Sequence, residues 1–358
     1  MAIIDADCHV IETEDTWAGF DESQAEHRPL VLTAAGAEGE GKRLLAIDGR
    51  LWNAAPGDAS NRKAVSKRAI RESLSGYVAT SDAVRTMRDV PGRLRHMDEL
   101  GVDVQVLYPT IFLSRLTARP PLEVALCRSY NRWLGSICKE SRGRLRWVAV
   151  PPLLNMEAAL DELAWARDSG ACGIFMRGFE GERLLSHPFF FPLYERAQEL
   201  DLPICVHAGG ANPAYAALVE GSAFSTAKVL VFSAFHHLLY YGIPARFPRL
   251  RFGFIEATAS WLPYVLTDLR RRLARDGLPP LGKDPLRDNR LYVACQTNDD
   301  LRYILGYGGE DNLVIGSDYG HSDTSSELEA LRNLRATELP ASIVRKILED
   351  NPARLYGL

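Results

Sequence analysis

Close to its start the chain reads Asp5-Ala6-Asp7-Cys8-His9-Val10, directly after the short apolar run Ala2-Ile3-Ile4. Side chains alternate faces along a strand, so Asp5, Asp7 and His9 point one way while Ala6, Cys8 and Val10 point the other. Burying two carboxylates and an imidazole without a strong partner is costly. A divalent cation offsets that cost for all three together, and oxygen with imidazole nitrogen is a donor set that suits such ions. Taken alone, D-x-D-x-H is equally consistent with a polar strand end facing water. Further groups of the same chemistry recur downstream, each after an apolar run: His207 in Ile204-Cys205-Val206-His207-Ala208-Gly209-Gly210, Glu256 in Phe254-Ile255-Glu256-Ala257, and Asp318 with His321 in Gly316-Ser317-Asp318-Tyr319-Gly320-His321.

The 358 residues are 46% hydrophobic and 25% charged, with a net charge of -4, which fits a globular chain with ample core and offers no basic surface. A nucleic-acid partner and an anionic membrane surface are therefore not expected, and the expected partner is a small molecule. No basic leader precedes a long apolar stretch, which predicts a cytoplasmic protein that does not span a membrane. Six cysteines, at 8, 127, 138, 172, 205 and 295, lack any C-x-x-C pair and mostly lie in apolar runs, the usage of reduced, buried thiols.

What must position the donor residues is an alternation of helices and strands. Residues 11–80 read as irregular and polar, with one hairpin turning at Asp48-Gly49, and so long a stretch is expected to be a cap or lid inserted after strand one. The rest, 1–358 taken as a single domain around that cap, repeats a unit: helix 91–100 before strand 102–110, helix 121–141 before strand 145–151, helix 156–168 before strand 172–177, and helix 191–200 before strand 203–207. Helix 227–241 then leads to strand 250–256, helix 262–275 to strand 291–295, and helix 301–305 to strand 312–318, with helices at 326–334 and 341–350. Eight near-continuous apolar strands separated by helices predict the α/β class and a (β/α)8 TIM-type barrel. An open doubly wound sheet is the alternative, but no G-x-G-x-x-G follows strand one.

In such a barrel chemistry sits at the C-terminal ends of the strands. Asp7 and His9 end strand one, His207 strand five, Glu256 strand six and Asp318 strand eight, with His321 just beyond. Singly, His207 could be a packed histidine bonded to a carbonyl, Glu256 an ion-pair partner, and Asp318 a turn cap. Together on one mouth they predict a metal centre. Arg177 ends strand four and is expected either to anchor a substrate carboxylate or phosphate or to pair with a nearby acid. Of His236-His237, one is expected to pack and His237 to reach the mouth and touch substrate. His96, in a helix among Arg93, Arg95 and Asp98, reads as surface. Gln296 and Asn298 could donate hydrogen bonds into the pocket.

These stretches, with M-D-E-L-G-V-D-V-Q-V-L-Y-P-T at 97–110, V-H-A-G-G around His207, R-F-P-R-L-R-F at 246–252, I-E-A-T-A-S-W-L-P-Y at 255–264, N-L-V-I-G-S-D-Y at 312–319 and the closing D-N-P-A-R-L-Y-G-L, resemble the amidohydrolase-2 family. This is the branch of the amidohydrolase superfamily that includes aminocarboxymuconate-semialdehyde and resorcylate-type decarboxylases. The resemblance implies a metal-dependent barrel whose ligands are Asp7, His9, His207 and Asp318, and a homodimer. Two departures stand out: Asp7-Cys8-His9 where many members carry H-x-H or E-x-H, and Glu256 where the decarboxylases carry a catalytic histidine.

A carboxylate at that second place can itself bind or bridge metals, and His321 is a further donor, so the set suffices for one or two ions of zinc, manganese or iron. The expected activity is hydrolysis or non-oxidative decarboxylation (a lyase) of a small carboxyl- or carbonyl-bearing molecule, with Asp318, Glu256 and His207 catalytic. The same donors would suit a non-haem diiron monooxygenase hydroxylating a terpenoid-type natural product, the chemistry of one branch that resembles this chain. A catalytically inactive, metal-stabilised binding protein is the remaining alternative.

Overall fold

The computed structural model describes residues 2–34, 42–53, 80–210, 212–219, 224–322 and 324–358. Its centre is a ring of parallel strands: β1 (Ile4–His9), β2 (Val104–Tyr108), β3 (Leu145–Ala149), β4 (Ala171–Arg177), β5 (Ile204–His207), β6 (Phe252–Ile255), β7 (Leu291–Cys295) and β8 (Leu313–Ile315). They form one eight-stranded sheet in sequence order, as a right-handed βαβ path dictates. The ring closes where the chain beyond β8 lies along β1: the Asp318 N–H donates to the Asp7 carbonyl at 2.9 Å and the His9 N–H to the Tyr319 carbonyl at 2.7 Å. Strands buried on both faces explain the near-continuous apolar runs, and the predicted (β/α)8 barrel is the fold observed.

Between strands run α1 (Val90–Leu100), α2 (Pro120–Glu140), α3 (Met156–Asp168), α4 (Phe191–Glu199), α5 (Val229–Tyr240), α6 (Leu262–Arg275) and the short α7 (Leu301–Leu305). Local sequence sets their ends. In α1 the Asp89 side chain accepts from the Gly92 N–H, Pro91 occupies the first turn, and Gly101 at φ 69° ends the helix in the left-handed conformation a side chain would resist. Asn155 caps α3 in the same way, accepting from the Ala158 N–H. No helix among the described residues is long and apolar enough to cross a membrane. All six cysteines are free and buried.

The expected hairpin is present. Lys42–Ile47 pairs antiparallel with Arg50–Asn53, and Asp48 (φ 49°) and Gly49 (φ 72°) make the turn, with positive φ at both positions as a tight hairpin needs. Leu30–Ala34 adds a third strand on the other side. The sheet is pinned to the barrel mouth by Asp48, whose carboxylate accepts from the Thr117 hydroxyl at 2.7 Å and pairs with Arg119 Nε at 3.1 Å, while Leu45 and Ile47 are buried. Residues 35–41 and 54–79 of the expected cap lie outside the described residues.

Candidate metal centre

Donor atoms from β1, β5 and the chain after β8 converge at the C-terminal end of the barrel. Asp7 Oδ1 lies 3.2 Å from His207 Nε2 and 3.5 Å from His9 Nε2, and Asp318 Oδ1 lies 3.4 Å from His9 Nε2. All four side chains are buried. Two overlapping sets of potential ligand atoms result, Asp7/His9/His207 and His9/Asp318/His321, each spanning no more than 4.8 Å.

The protons on the two imidazoles follow from their neighbours. His9 Nδ1 is 3.0 Å from the Pro109 carbonyl and His207 Nδ1 is 2.9 Å from the Ala208 carbonyl. A carbonyl only accepts, so each Nδ1 carries the proton and each Nε2 presents a lone pair. Those lone pairs face the carboxylate oxygens of Asp7 and Asp318, and His9 Nε2 is buried with no hydrogen-bond partner. Acceptors aimed at acceptors repel unless positive charge lies between them. Burial, with the neighbouring His321 and His207, holds His9 well below the usual imidazole range, which keeps it neutral. Burial also raises Asp7 above the usual carboxylate range, against the pull of His207. Neutral imidazole nitrogen and buried carboxylate oxygen, oriented from behind by carbonyls, fit a divalent cation.

Local backbone aims these groups. Glu256 (φ 59°) and Asp318 (φ 52°) both occupy the left-handed region, as does Thr258 (φ 59°), a conformation costing side-chain-bearing residues about 1–2 kcal/mol each. Ser326 Oγ donates to Asp318 Oδ2 at 2.7 Å, and His321 Nδ1 lies 2.9 Å from Oδ1. His321 also contacts the Thr110 hydroxyl through Nε2 at 2.9 Å and stacks on His9 at 3.7 Å. His321, expected as a metal ligand, thus neighbours Asp318 and belongs to the second ligand set.

Other expected site residues fall elsewhere. Asp5 shares the strand face, yet its carboxylate is taken by Ser317, whose N–H and hydroxyl donate at 2.9 and 2.5 Å across the β1–β8 seam. Glu256 Oε2 lies 3.2 Å from His207 Nδ1, on the side of the ring away from Asp7, so it stands behind His207 and outside both converging sets. Arg177, expected to anchor a substrate carboxylate or phosphate, is held in an ion pair. It meets Glu180 through Nε at 3.1 Å and Nη2 at 2.5 Å, and its Nη1 donates to the Phe112 and Ser114 carbonyls. His237 lies in the third turn of α5, which descends from the mouth, and its ring meets Tyr241, so the structure does not bring it to the cluster. Gln296 is tied to Ser325. His96 is half-buried and bonded to the Tyr319 hydroxyl at 2.9 Å, where a surface position was expected.

Three residues to which the sequence assigned no role support the mouth. Arg93 is fully buried, with Nη1 donating to the His9 carbonyl and Nε to Gln105, and its guanidinium covers the Tyr319 ring at 4.4 Å. Its place four residues before the core residue Met97 was the available signal. Glu12 accepts the N–H groups of Thr110 and Ile111, and burial pushes its carboxyl up to about 7. Thr110 itself ends the quoted Y-P-T stretch.

A parallel barrel with carboxylates and histidines gathered at the strand ends defines the amidohydrolase type of fold and site. The amidohydrolase family model (Amidohydro_2) matches residues 4–358, and the chain belongs to this family. Over 194 residues it is 24% identical to a gamma-resorcylate decarboxylase of Polaromonas sp., covering 51% of this chain and 59% of that protein. Over 248 residues it is 25% identical to a 2-keto-4-carboxy-3-hexenedioate hydratase of Sphingobium sp., covering 63% and 68%. Among solved structures, an amidohydrolase from Mycobacterium avium subsp. paratuberculosis superposes with TM-score 0.78 at 18% identity, covering 100% of this chain and 98% of that one. A 5-carboxyvanillate decarboxylase from Novosphingobium aromaticivorans, complexed with manganese and a nitrobenzoic acid, superposes with TM-score 0.63 at 21% identity, covering 81% and 91%.

Proposed function

We propose that the chain is a metal-dependent hydrolase or non-oxidative decarboxylase acting on a small carboxylic acid, with one divalent cation of the zinc, manganese or iron type. The observation carrying this reading is the meeting of two imidazole lone pairs and two carboxylate oxygens in one buried space. Asp7 Oδ1, His9 Nε2, His207 Nε2 and Asp318 Oδ1 are the atoms that would hold the ion. When bound, it supplies Lewis acidity toward a carboxyl or carbonyl oxygen and lowers the pKa of bound water. Asp318, held at Oδ2 by the Ser326 hydroxyl, would move a proton between its carboxyl and the reacting carbon or oxygen of the substrate, a role supported by its position beside the ligand cluster. Glu256 Oε2, 3.2 Å from His207 Nδ1, would favour the proton on that nitrogen and so leave Nε2 free to bind.

One nitrogen binds one ion, so the two ligand sets, which share His9 Nε2, describe one cation better than two. A two-iron centre would need Glu256 as a bridge, and that carboxylate lies behind His207. Relatives named as decarboxylases favour loss of a carboxyl group from an aromatic or unsaturated acid. The test is carbon dioxide release from hydroxybenzoates by protein stripped with chelator and then reloaded. Turnover that vanishes on stripping and returns with manganese or zinc is expected. Turnover indifferent to chelator, or coupled to oxygen consumption, would overturn the reading.

A further inference from the structure

On the arc of the mouth over β2, β3 and β4, away from the strands that supply the ligand atoms, the loops enclose a cavity of about 470 Å³. That is the size of a small-molecule site. None of the residues lining it, Arg177 and Glu180 among them, belongs to the two ligand sets. Its apolar lining is Leu153 and Leu154 from the loop after β3 and Phe189 and Phe190 from the turn before α4.

Two guanidinium groups reach the same space. Arg115 donates through Nε to the Thr117 carbonyl at 3.2 Å, and its Nη1 lies against Gly181, where a Cβ would stand 3.4 Å away. Arg183 lies over the Phe189 ring at 4.4 Å. Among the described residues neither has a carboxylate at ion-pair distance, unlike Arg177 beside them, which is paired with Glu180. Of the acids around the cavity, Glu180 is consumed by Arg177, and Glu182 is exposed at the rim. Glu123 accepts the Leu154 N–H at 2.6 Å, and burial pushes it up to about 7, so near neutrality it is a partial hydrogen-bond donor.

We infer that this cavity is a second small-molecule site, for an organic carboxylate with an aromatic or similarly flat apolar body, held between the Arg115 and Arg183 guanidiniums over Phe189. Guanidinium groups without carboxylate partners match a carboxylate in geometry as well as charge, and the phenyl and leucine side chains cover the body. The cavity is also wired to the metal-ligand strand. Arg177 is the register partner of His207 between β4 and β5, and Asn212, in the loop after β5, donates to the Gly181 carbonyl at 2.9 Å. An occupant is therefore one loop away from His207. The inference stands independently of the metal-centre reading.

Calorimetric titration of benzoate, with benzamide in parallel, into chelator-treated protein tests it, since removing metal removes carboxylate binding at the centre. Saturable benzoate binding is expected, with benzamide at least about tenfold weaker. R115M and R183M are each expected to weaken benzoate at least about tenfold while D7N leaves it unchanged. Arg183 is exposed, so R183M keeps the test open should R115M fail to fold; thermal unfolding of each variant checks this. No saturable heat, equal binding of benzamide, or a loss in D7N that R115M and R183M do not share would overturn the assignment.

Discussion

Replacing Asp318 by Asn is expected to lower kcat on any metal-dependent substrate by at least about 10³-fold while the protein stays folded and the hydrogen bond from Ser326 survives. The reason is position. Asp318 borders the His9 lone pair with Oδ1 at 3.4 Å, while Ser326 Oγ donates to its Oδ2 and His321 Nδ1 stands 2.9 Å from Oδ1. An amide keeps the shape but cannot carry the proton, and its NH2 group would oppose His321 Nδ1–H if it replaced Oδ1. Steady-state kinetics with circular dichroism check this. A fall below tenfold would remove Asp318 from proton transfer, and an inactive wild type that still binds metal would point to a binding protein.

The second large effect is at a residue with no chemistry. Gly316→Ala is expected to destabilise the fold by at least about 3 kcal/mol, or to leave no soluble folded protein. A Cβ at 316 would stand 2.2 Å from Asp7 Cβ, 2.9 Å from its nitrogen and 3.0 Å from its Cα. Two of those three atoms are backbone and cannot swing aside. The same segment donates from Ser317 to Asp5 and from Asp318 to the Asp7 carbonyl, so displacing it opens the ring at the donor strand. Denaturant unfolding measures it, and a midpoint within error of wild type would refute the close approach.

The barrel was legible because its strands are buried on both faces and so read as near-continuous apolar runs between helices. The gathering of Asp7, His9, His207 and Asp318 was legible because a parallel barrel puts every strand's C-terminal end at one mouth. Direction was not. A strand-end position says that Glu256 and His207 are neighbours, but whether the carboxylate meets Nε2 or Nδ1 depends on the left-handed backbone at Glu256, which sequence does not announce. The Arg177 ion pair was not legible because its partner Glu180 follows after the strand, where a turn brings the two together. Arg93 was hidden by its charge, which reads as surface although helical spacing places it beside Met97.

The most direct test is the metal content of protein purified without added metal, by elemental mass spectrometry, in wild type and His9→Ala. Two imidazole lone pairs and two carboxylates around one space predict about one divalent ion per wild-type chain and less than about a tenth in the variant. Two ions per chain would contradict the single shared site, and none in protein that can also not be reloaded would contradict the metal centre itself.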